Sequence, residues 1–494
     1  MDEKDQILFA KGDVDVNLLL KMSNRHGLIA GATGTGKTIS LKVLAEAFSS
    51  MGVPVFLSDV KGDLASLCIP GEMNQKTEER IALLNLSNHQ FQSFPVCLWD
   101  VFGRLGHPIR TTISDIGPLL LSRLLGLNEI QSGILNIIFK IADDEGTLLL
   151  DLKDLKAMLK YVGDNSSEFT TEYGNIAKQS VGTIQRTLLM LEQQGAEEFF
   201  GEPAFDIRDF LKLDSRGVGY INVLSAEQLF NSPALYSTFL LWLLSELYEN
   251  LEEVGDVDKP KIVFFFDEAH LLFNEAPKAL LDKIEQVVRL VRSKGVGVYF
   301  ITQNPADIPY SVLGQLGNKV QHALRAFTPK EQGDIKAAAD SFRANPKFSS
   351  VETILDLRVG EAMISFLDKD GRPSMVERAF VLPPQSFIGT ITPEKRDEIM
   401  LGSSYNRKYE TMVDRDSAYE MLERKTNKSI QESEIKASVE ENEKLRKAQY
   451  EPPLQRRSST ASGLERAGKS FMTSFGSQIG REVVRGILGS LLKR

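Results

Sequence analysis

Eight consecutive residues, Gly31-Ala32-Thr33-Gly34-Thr35-Gly36-Lys37-Thr38, satisfy the pattern G-x-x-x-x-G-K-[ST] at every position. Glycines at these places let backbone amides turn inward toward phosphate oxygens, and the start of a helix adds the positive end of its dipole. Lys37 is placed to neutralise the β- and γ-phosphates, and Thr38 to offer its hydroxyl oxygen to Mg2+. The apolar run Leu28-Ile29-Ala30 ahead of the loop reads as a strand. Behind it, Ile39 to Ser49 reads as a helix with Leu41, Val43, Leu44, Ala45 and Phe48 apolar. A functionless Gly-rich turn would not need that strand–loop–helix context, so a nucleoside triphosphate, ATP with Mg2+, is the expected ligand.

Hydrolysis needs a metal acid and a base as well. Five large apolar residues, Ile262 to Phe266, run into Asp267 and Glu268. Such a run reads as a central parallel strand buried on both faces, and ligands gather at the carboxyl ends of such strands. Asp267 is expected to hold Mg2+ through water, and Glu268 to polarise the attacking water. A second buried strand, Val296 to Ile301, ends in Thr302-Gln303-Asn304-Pro305. Gln303 there is placed to sense the γ-phosphate or to orient water, the alternative being a hydrogen-bonded loop residue. Arg292 and Arg325 are candidates for stabilising transition-state charge, in cis or across a subunit interface. Solvated surface is the ordinary alternative for either arginine.

The elements that position these groups are spread widely, with 230 positions separating Lys37 from Asp267. The intervening chain reads as a large, mostly helical insertion, with helical spacing in Gln131–Ala142, Leu152–Tyr161, Ile176–Gln194 and Leu235–Leu251. Downstream, 363–367 and 376–382 suggest two strands around the turn Lys369-Asp370-Gly371-Arg372-Pro373, and Pro383-Pro384 closes the compact domain. Residues 409–450 are charge-rich with weak apolar periodicity, and read as an exposed helix or arm.

Asp-Glu-Ala-His at 267–270 invites comparison with DEAH-box helicases, but their Ser-Ala-Thr and Gln-x-x-Gly-Arg-x-Gly-Arg motifs are absent. The strand ending in Thr302-Gln303-Asn304-Pro305-Ala306-Asp307-Ile308-Pro309, with an arginine shortly before it, resembles the HerA/FtsK branch of P-loop motor ATPases. Asp256 to Phe273 and the tail Gly480 to Gly489 resemble a bacterial family of HerA-helicase-like ATPases. The resemblance implies an α/β P-loop NTPase with a RecA/FtsK-like central parallel sheet, a ring-forming (hexameric) motor, and double-stranded DNA as a possible substrate. It also implies roles by position. Gly31, Ala32, Thr33, Gly34, Thr35, Gly36, Lys37 and Thr38 bind nucleotide, and Thr38 and Asp267 bind metal. Glu268 is the base, Gln303 the γ-phosphate sensor, and Arg292 a finger offered to a neighbouring subunit. Arg25 matches a further functional arginine, and Asp59 a second-strand acid that a turn-capping role would equally explain. Proteins of the branch carry a small β-barrel ahead of the core. Thirty residues precede Gly31 here, room for two short strands, so the barrel is expected to be missing.

Composition excludes several classes. The chain has 494 residues, 42% hydrophobic, enough to bury a substantial core. Cys68 and Cys97 are too few for a disulfide framework, and the five histidines form no zinc pattern. Met1-Asp2-Glu3-Lys4-Asp5-Gln6 is no signal peptide and no apolar run approaches a transmembrane length, so a cytoplasmic protein is expected. The net charge of −9 argues against a globally basic nucleic-acid binder. The charge is uneven, with +6 in residues 455–494 and −15 elsewhere. That tail opens as a flexible linker and continues as a basic amphipathic stripe through Phe471, Phe475, Ile479, Val483, Ile487 and Leu491. Expected boundaries are 1–70 and 256–400 for the two parts of the ATPase core, 71–255 for the helical insertion, 401–454 for a charged helical arm and 455–494 for the tail. Two functions follow: a DNA-translocating motor, or a nucleotide-driven assembly or regulatory ATPase acting on a protein or membrane-associated partner.

Overall fold

The computed structural model describes residues 5–274, 278–326 and 328–449. The chain divides into two compact units, one reaching Lys425 and one starting at Thr426. The tail 455–494 lies outside the described residues.

One twelve-stranded sheet organises the first unit. Its strands are β1 (Gln6–Gly12), β2 (Asp15–Leu19), β3 (Gly27–Ala30), β4 (Val55–Asp59), β5 (Val96–Asp100), β6 (His107–Pro108), β7 (Ile221–Ser225), β8 (Ile262–Phe266), β9 (Val296–Thr302), β10 (Asn318–Gln321), β11 (Glu361–Ser365) and β12 (Glu377–Val381). They lie in the order β2-β1-β12-β11-β10-β3-β9-β8-β4-β7-β5-β6. Neighbours from β10 through to β6 run parallel. β11, β12, β1 and β2 extend the sheet as an antiparallel flank. The fold is mixed α/β around a largely parallel sheet, as expected.

β8 demonstrates why the centre must be apolar on both sides. Alternate residues of a strand face opposite ways, and here Phe264 and Phe266 enter one core while Val263 and Phe265 enter another. The Phe264 ring sits 5.1 Å from Phe56, and the Phe265 ring 5.1 Å from Tyr299. Full burial of each such side chain contributes about 1.5–3 kcal/mol.

Between β6 and β7 the chain forms the helices Ile113–Leu124, Glu129–Asp144, Leu152–Asp164, Ser166–Tyr173 and Lys178–Gln193. Capping boxes start two of them, Asn128 with Gln131 and Asp151 with Asp154. The segment expected to be mostly helical thus also supplies β5, β6 and β7 to the sheet. The helix Pro233–Asn250 packs against Ile113–Leu124 and against Lys278–Val291. It is buried from Leu235 to Leu244, so its apolar stretch is core. Among the described residues no helix is long and apolar enough to cross a membrane.

After β12 the chain continues to pack against the first unit. Tyr405 and Tyr409 pack against Trp99, one tilted and one edge-on, with ring centroids at 5.0 and 5.8 Å, and Lys408 pairs with Asp209 at 2.6 Å. The helix Ala418–Gln449 begins here, and its residues from Thr426 to Arg446 are exposed.

Candidate active site

The loop Gly31–Gly36 joins β3 to the helix Lys37–Ser50, as the motif requires. It is pinned on both sides by the neighbouring strands. Gly31 donates its amide to Thr302 O at 3.3 Å, and Ala32 to Ala323 O at 2.9 Å. Two glycines are needed for its shape. Gly34 has φ +77° with open space where a Cβ would stand, and Gly36 has φ +123° with its Cβ position 3.1 Å from the Gly360 backbone. Among the described residues, the amides of Thr33, Gly34, Gly36, Lys37 and Thr38 find no acceptor. That is the donor array a triphosphate accepts from. Lys37 Nζ meanwhile lies 2.5 Å from Gly31 O and 3.1 Å from Ala32 O. Burial lowers its pKa, against the raising effect of Asp267 and Glu268.

The acid pair stands at the end of β8. Asp267 N–H donates to Ser58 Oγ at 2.9 Å, and Glu268 N–H donates back to Asp267 Oδ1 at 2.9 Å. Burial, then the Glu268 charge, push the Asp267 carboxyl up to about 6. Glu268 goes the other way. His270 beside it, with help from Gln303, holds its carboxyl below the ordinary value despite burial. His270 Nδ1 is 3.3 Å from Glu268 Oε2. Glu268 has φ +48°, a left-handed backbone that costs about 1–3 kcal/mol for a non-glycine residue and persists only when its surroundings impose it.

Strand order explains how Gln303 joins them. β9 lies between β3 and β8, so its end falls between the phosphate loop and the acid pair. Gln303 Nε2 is 3.4 and 3.5 Å from the two Glu268 oxygens. Asn304, next in the chain, is tied to Asp334 at 2.8 Å.

The arginines divide between the two ends of the sheet. Arg25 precedes β3 and Arg292 precedes β9, so both stand at the amino ends of adjacent strands. Asn24 Nδ2 reaches Arg292 O at 3.4 Å, and Arg292 Nη2 is 3.9 Å from Asp256 Oδ1. Burial, then the Arg25 charge, lower the pKa of Arg292. β9 is seven residues long, about 23 Å of strand, so Arg292 cannot reach the Gln303 end of its own chain. Arg325 lies at the other end, two residues beyond Ala323, and is exposed with Nη1 on Leu355 O at 3.1 Å. The Asp59 carboxylate accepts four amides of the following turn, those of Gly62, Asp63, Leu64 and Ala65, at 2.7 to 3.3 Å.

Some contributors carry no sequence signal. Lys61 is an exposed cation whose charge is felt by both Lys37 and Asp267. His322 is buried under the loop, with its ring 2.7 Å from Ser40 Oγ and 3.0 Å from Glu361 O. Ser58 and Tyr236 sit behind Asp267. A lone histidine, serine or tyrosine in sequence gives nothing to distinguish it from a packing residue.

Among the described residues no group of three or more His, Cys, Asp or Glu could hold a metal by itself. Mg2+ does not require one, because it takes one or two protein oxygens and completes its shell with phosphates and water. The Thr38 hydroxyl and the Asp267 carboxylate are donors of that kind.

The helicase HerA-like C-terminal family model matches residues 5–494. The DNA double-strand break repair helicase HerA of Sulfurisphaera tokodaii is 23% identical over 360 residues, 71% of this chain and 64% of that protein. A probable helicase of Methanocaldococcus jannaschii is 22% identical over 363 residues, 72% of this chain and 63% of its own. The chain therefore spans just under two thirds of these curated relatives. Among solved structures, the bacterial conjugative coupling protein TrwB superposes with a TM-score of 0.53 at 12% identity, covering 79% of this chain and 92% of that one. With motif, strand order and family match in agreement, this chain belongs to the helicase HerA-like C-terminal family of HerA/FtsK-type P-loop ATPases.

Proposed function

We propose that the protein hydrolyses ATP with Mg2+ as a ring-forming, hexameric motor that moves double-stranded DNA. The observation that carries this reading is the gathering of the Lys37 loop, Asp267 and the Glu268–Gln303 pair at the carboxyl ends of β3, β8 and β9. The free loop amides and Lys37 receive the triphosphate. Thr38 and Asp267 hold Mg2+, which supplies charge neutralisation on the phosphates. Glu268, kept ionised, takes a proton from the attacking water that Gln303 orients. Arg25 and Arg292, at the far strand ends, face the site of a neighbouring copy, where Arg292 stabilises the developing charge. Arg325 acts from the site's own side, and Asp59 shapes the turn that carries Lys61. In this reading residues 1–70 and 256–400 form the motor core together with β5, β6 and β7 of the intervening segment, and the protein works in the cytoplasm.

DNA is the favoured substrate because relatives of similar sequence are described as DNA repair helicases. The balance of −15 outside the tail favours one alternative, a nucleotide-driven assembly or regulatory ATPase acting on a protein or membrane-associated partner. Steady-state ATP hydrolysis with and without linear double-stranded DNA, at low and moderate salt and with Lys37→Ala as the blank, decides between them. Stimulation of about tenfold that fades with salt is expected for a DNA motor. A flat response rejects DNA as the substrate.

A further inference from the structure

Behind the acid pair, three groups close a ring of hydrogen bonds. Asp267 N–H donates to Ser58 Oγ at 2.9 Å, the Tyr236 hydroxyl lies 3.0 Å from Ser58 Oγ, and it donates to Asp267 O at 2.7 Å. The direction of each bond follows from the donors available. A carbonyl only accepts, so the single phenol proton goes to Asp267 O. The proton between the two hydroxyls must then come from Ser58, whose oxygen is left to accept the Asp267 amide. The circuit runs Asp267 N–H to Ser58, Ser58 O–H to Tyr236, and Tyr236 O–H to Asp267 O. Ser58 and Tyr236 are both fully buried, where such chains polarise one another and an unmade bond is costly.

The ring grips the amide and the carbonyl of one residue, fixing the backbone on either side of Asp267. The next residue, Glu268, holds its left-handed backbone at φ +48°. Tyr236 comes from the helix Pro233–Asn250, which packs on Ile113–Leu124, and Ser58 comes from β4, adjacent to β8.

We propose that Tyr236 and Ser58 are positioning residues that fix the Asp267 peptide, and through it the aim of the Asp267 and Glu268 carboxylates at Mg2+-nucleotide. The helix Pro233–Asn250 is then the element through which the helical segment bears on the acid pair. This rests on the ATPase reading given above.

The test uses full-length Tyr236→Phe, Ser58→Ala and the double variant. Phe keeps the ring volume, and a melting curve reports folding. ATP turnover is measured alongside binding of a non-hydrolysable ATP analogue with and without Mg2+. Loss of outer positioning groups at a metal site lowers affinity or activity by about 10–100-fold. Each single variant should therefore lose kcat about tenfold with KM changed far less, and lose most of the gain in analogue affinity that Mg2+ gives the wild type. The double variant should be no worse than either single one, because the ring acts as a unit. A lower Tm with wild-type kcat and Mg2+ gain, or losses that add fully, would overturn the proposal. If wild-type turnover does not exceed that of Lys37→Ala, the ATPase reading fails while the Mg2+-dependent binding still decides the positioning claim. No Mg2+-dependent binding by the wild type would overturn both.

Discussion

Glu268 and Asp267 are neighbours with opposite electrostatics. Asp267 is pushed up to about 6 by burial and by Glu268, whereas His270 and Gln303 keep Glu268 low. Glu268 is therefore the more fully ionised of the two at neutral pH, and the cations beside Asp267 help to keep it ionised as well. Lys37 and Lys61 lower the Asp267 pKa in this way, and a bound Mg2+ would add to them. The division of labour has a direct consequence. Glu268→Gln keeps the side-chain shape and the hydrogen bond to Gln303 but cannot take a proton. It should bind nucleotide as the wild type does and lose turnover by about 100-fold or more. Equilibrium binding with single-turnover hydrolysis checks this, and near-normal hydrolysis would remove Glu268 from the role of base.

At the scale of elements, the phosphate loop and the acid pair stand on different strands with β9 between them, so the site is only as rigid as the packing of β3, β9 and β8. Phe265 carries much of that packing. It is fully buried and lies against both Tyr299 of β9 and Phe48 of the helix after the loop. Phe265→Ala should cost about 3–5 kcal/mol, read as a fall in the denaturant midpoint of the first unit. A loss below about 1 kcal/mol would mean that the two rings reclose over the gap. These central elements were legible in sequence because burial on both faces leaves an unbroken apolar run, as at Ile262–Phe266 and Val296–Ile301. The strands β5 and β7 were harder to see. Each is five residues long, too short for periodicity to separate it from the helices around it. Tyr405 and Tyr409 were hidden for another reason, since their contacts with Trp99 and Asp209 lie hundreds of residues away. In the site, contiguous motifs pointed to Lys37, Asp267 and Glu268. Ser58, Tyr236 and His322 contribute through contacts that no local pattern encodes.

For the whole molecule, the two ends of the sheet pose the main question. Everything that would touch a triphosphate lies at the carboxyl ends of the strands, while Arg25 and Arg292 lie at the amino ends, about 23 Å of strand away. Within one chain these arginines have no route to the phosphates. In the proposed ring, a head-to-tail arrangement would present the arginine end of one copy to the nucleotide end of the next. Hydrolysis would then belong to the interface. The measurement that tests this most directly mixes two inactive variants. Lys37→Ala lacks the phosphate contact but keeps its arginine, and Arg292→Ala lacks the arginine but keeps its loop. Each alone should be nearly inert, and mixed oligomers should recover part of the wild-type ATP turnover at interfaces that pair an intact loop with an intact arginine. No recovery in mixtures shown to co-assemble would contradict a site shared between copies.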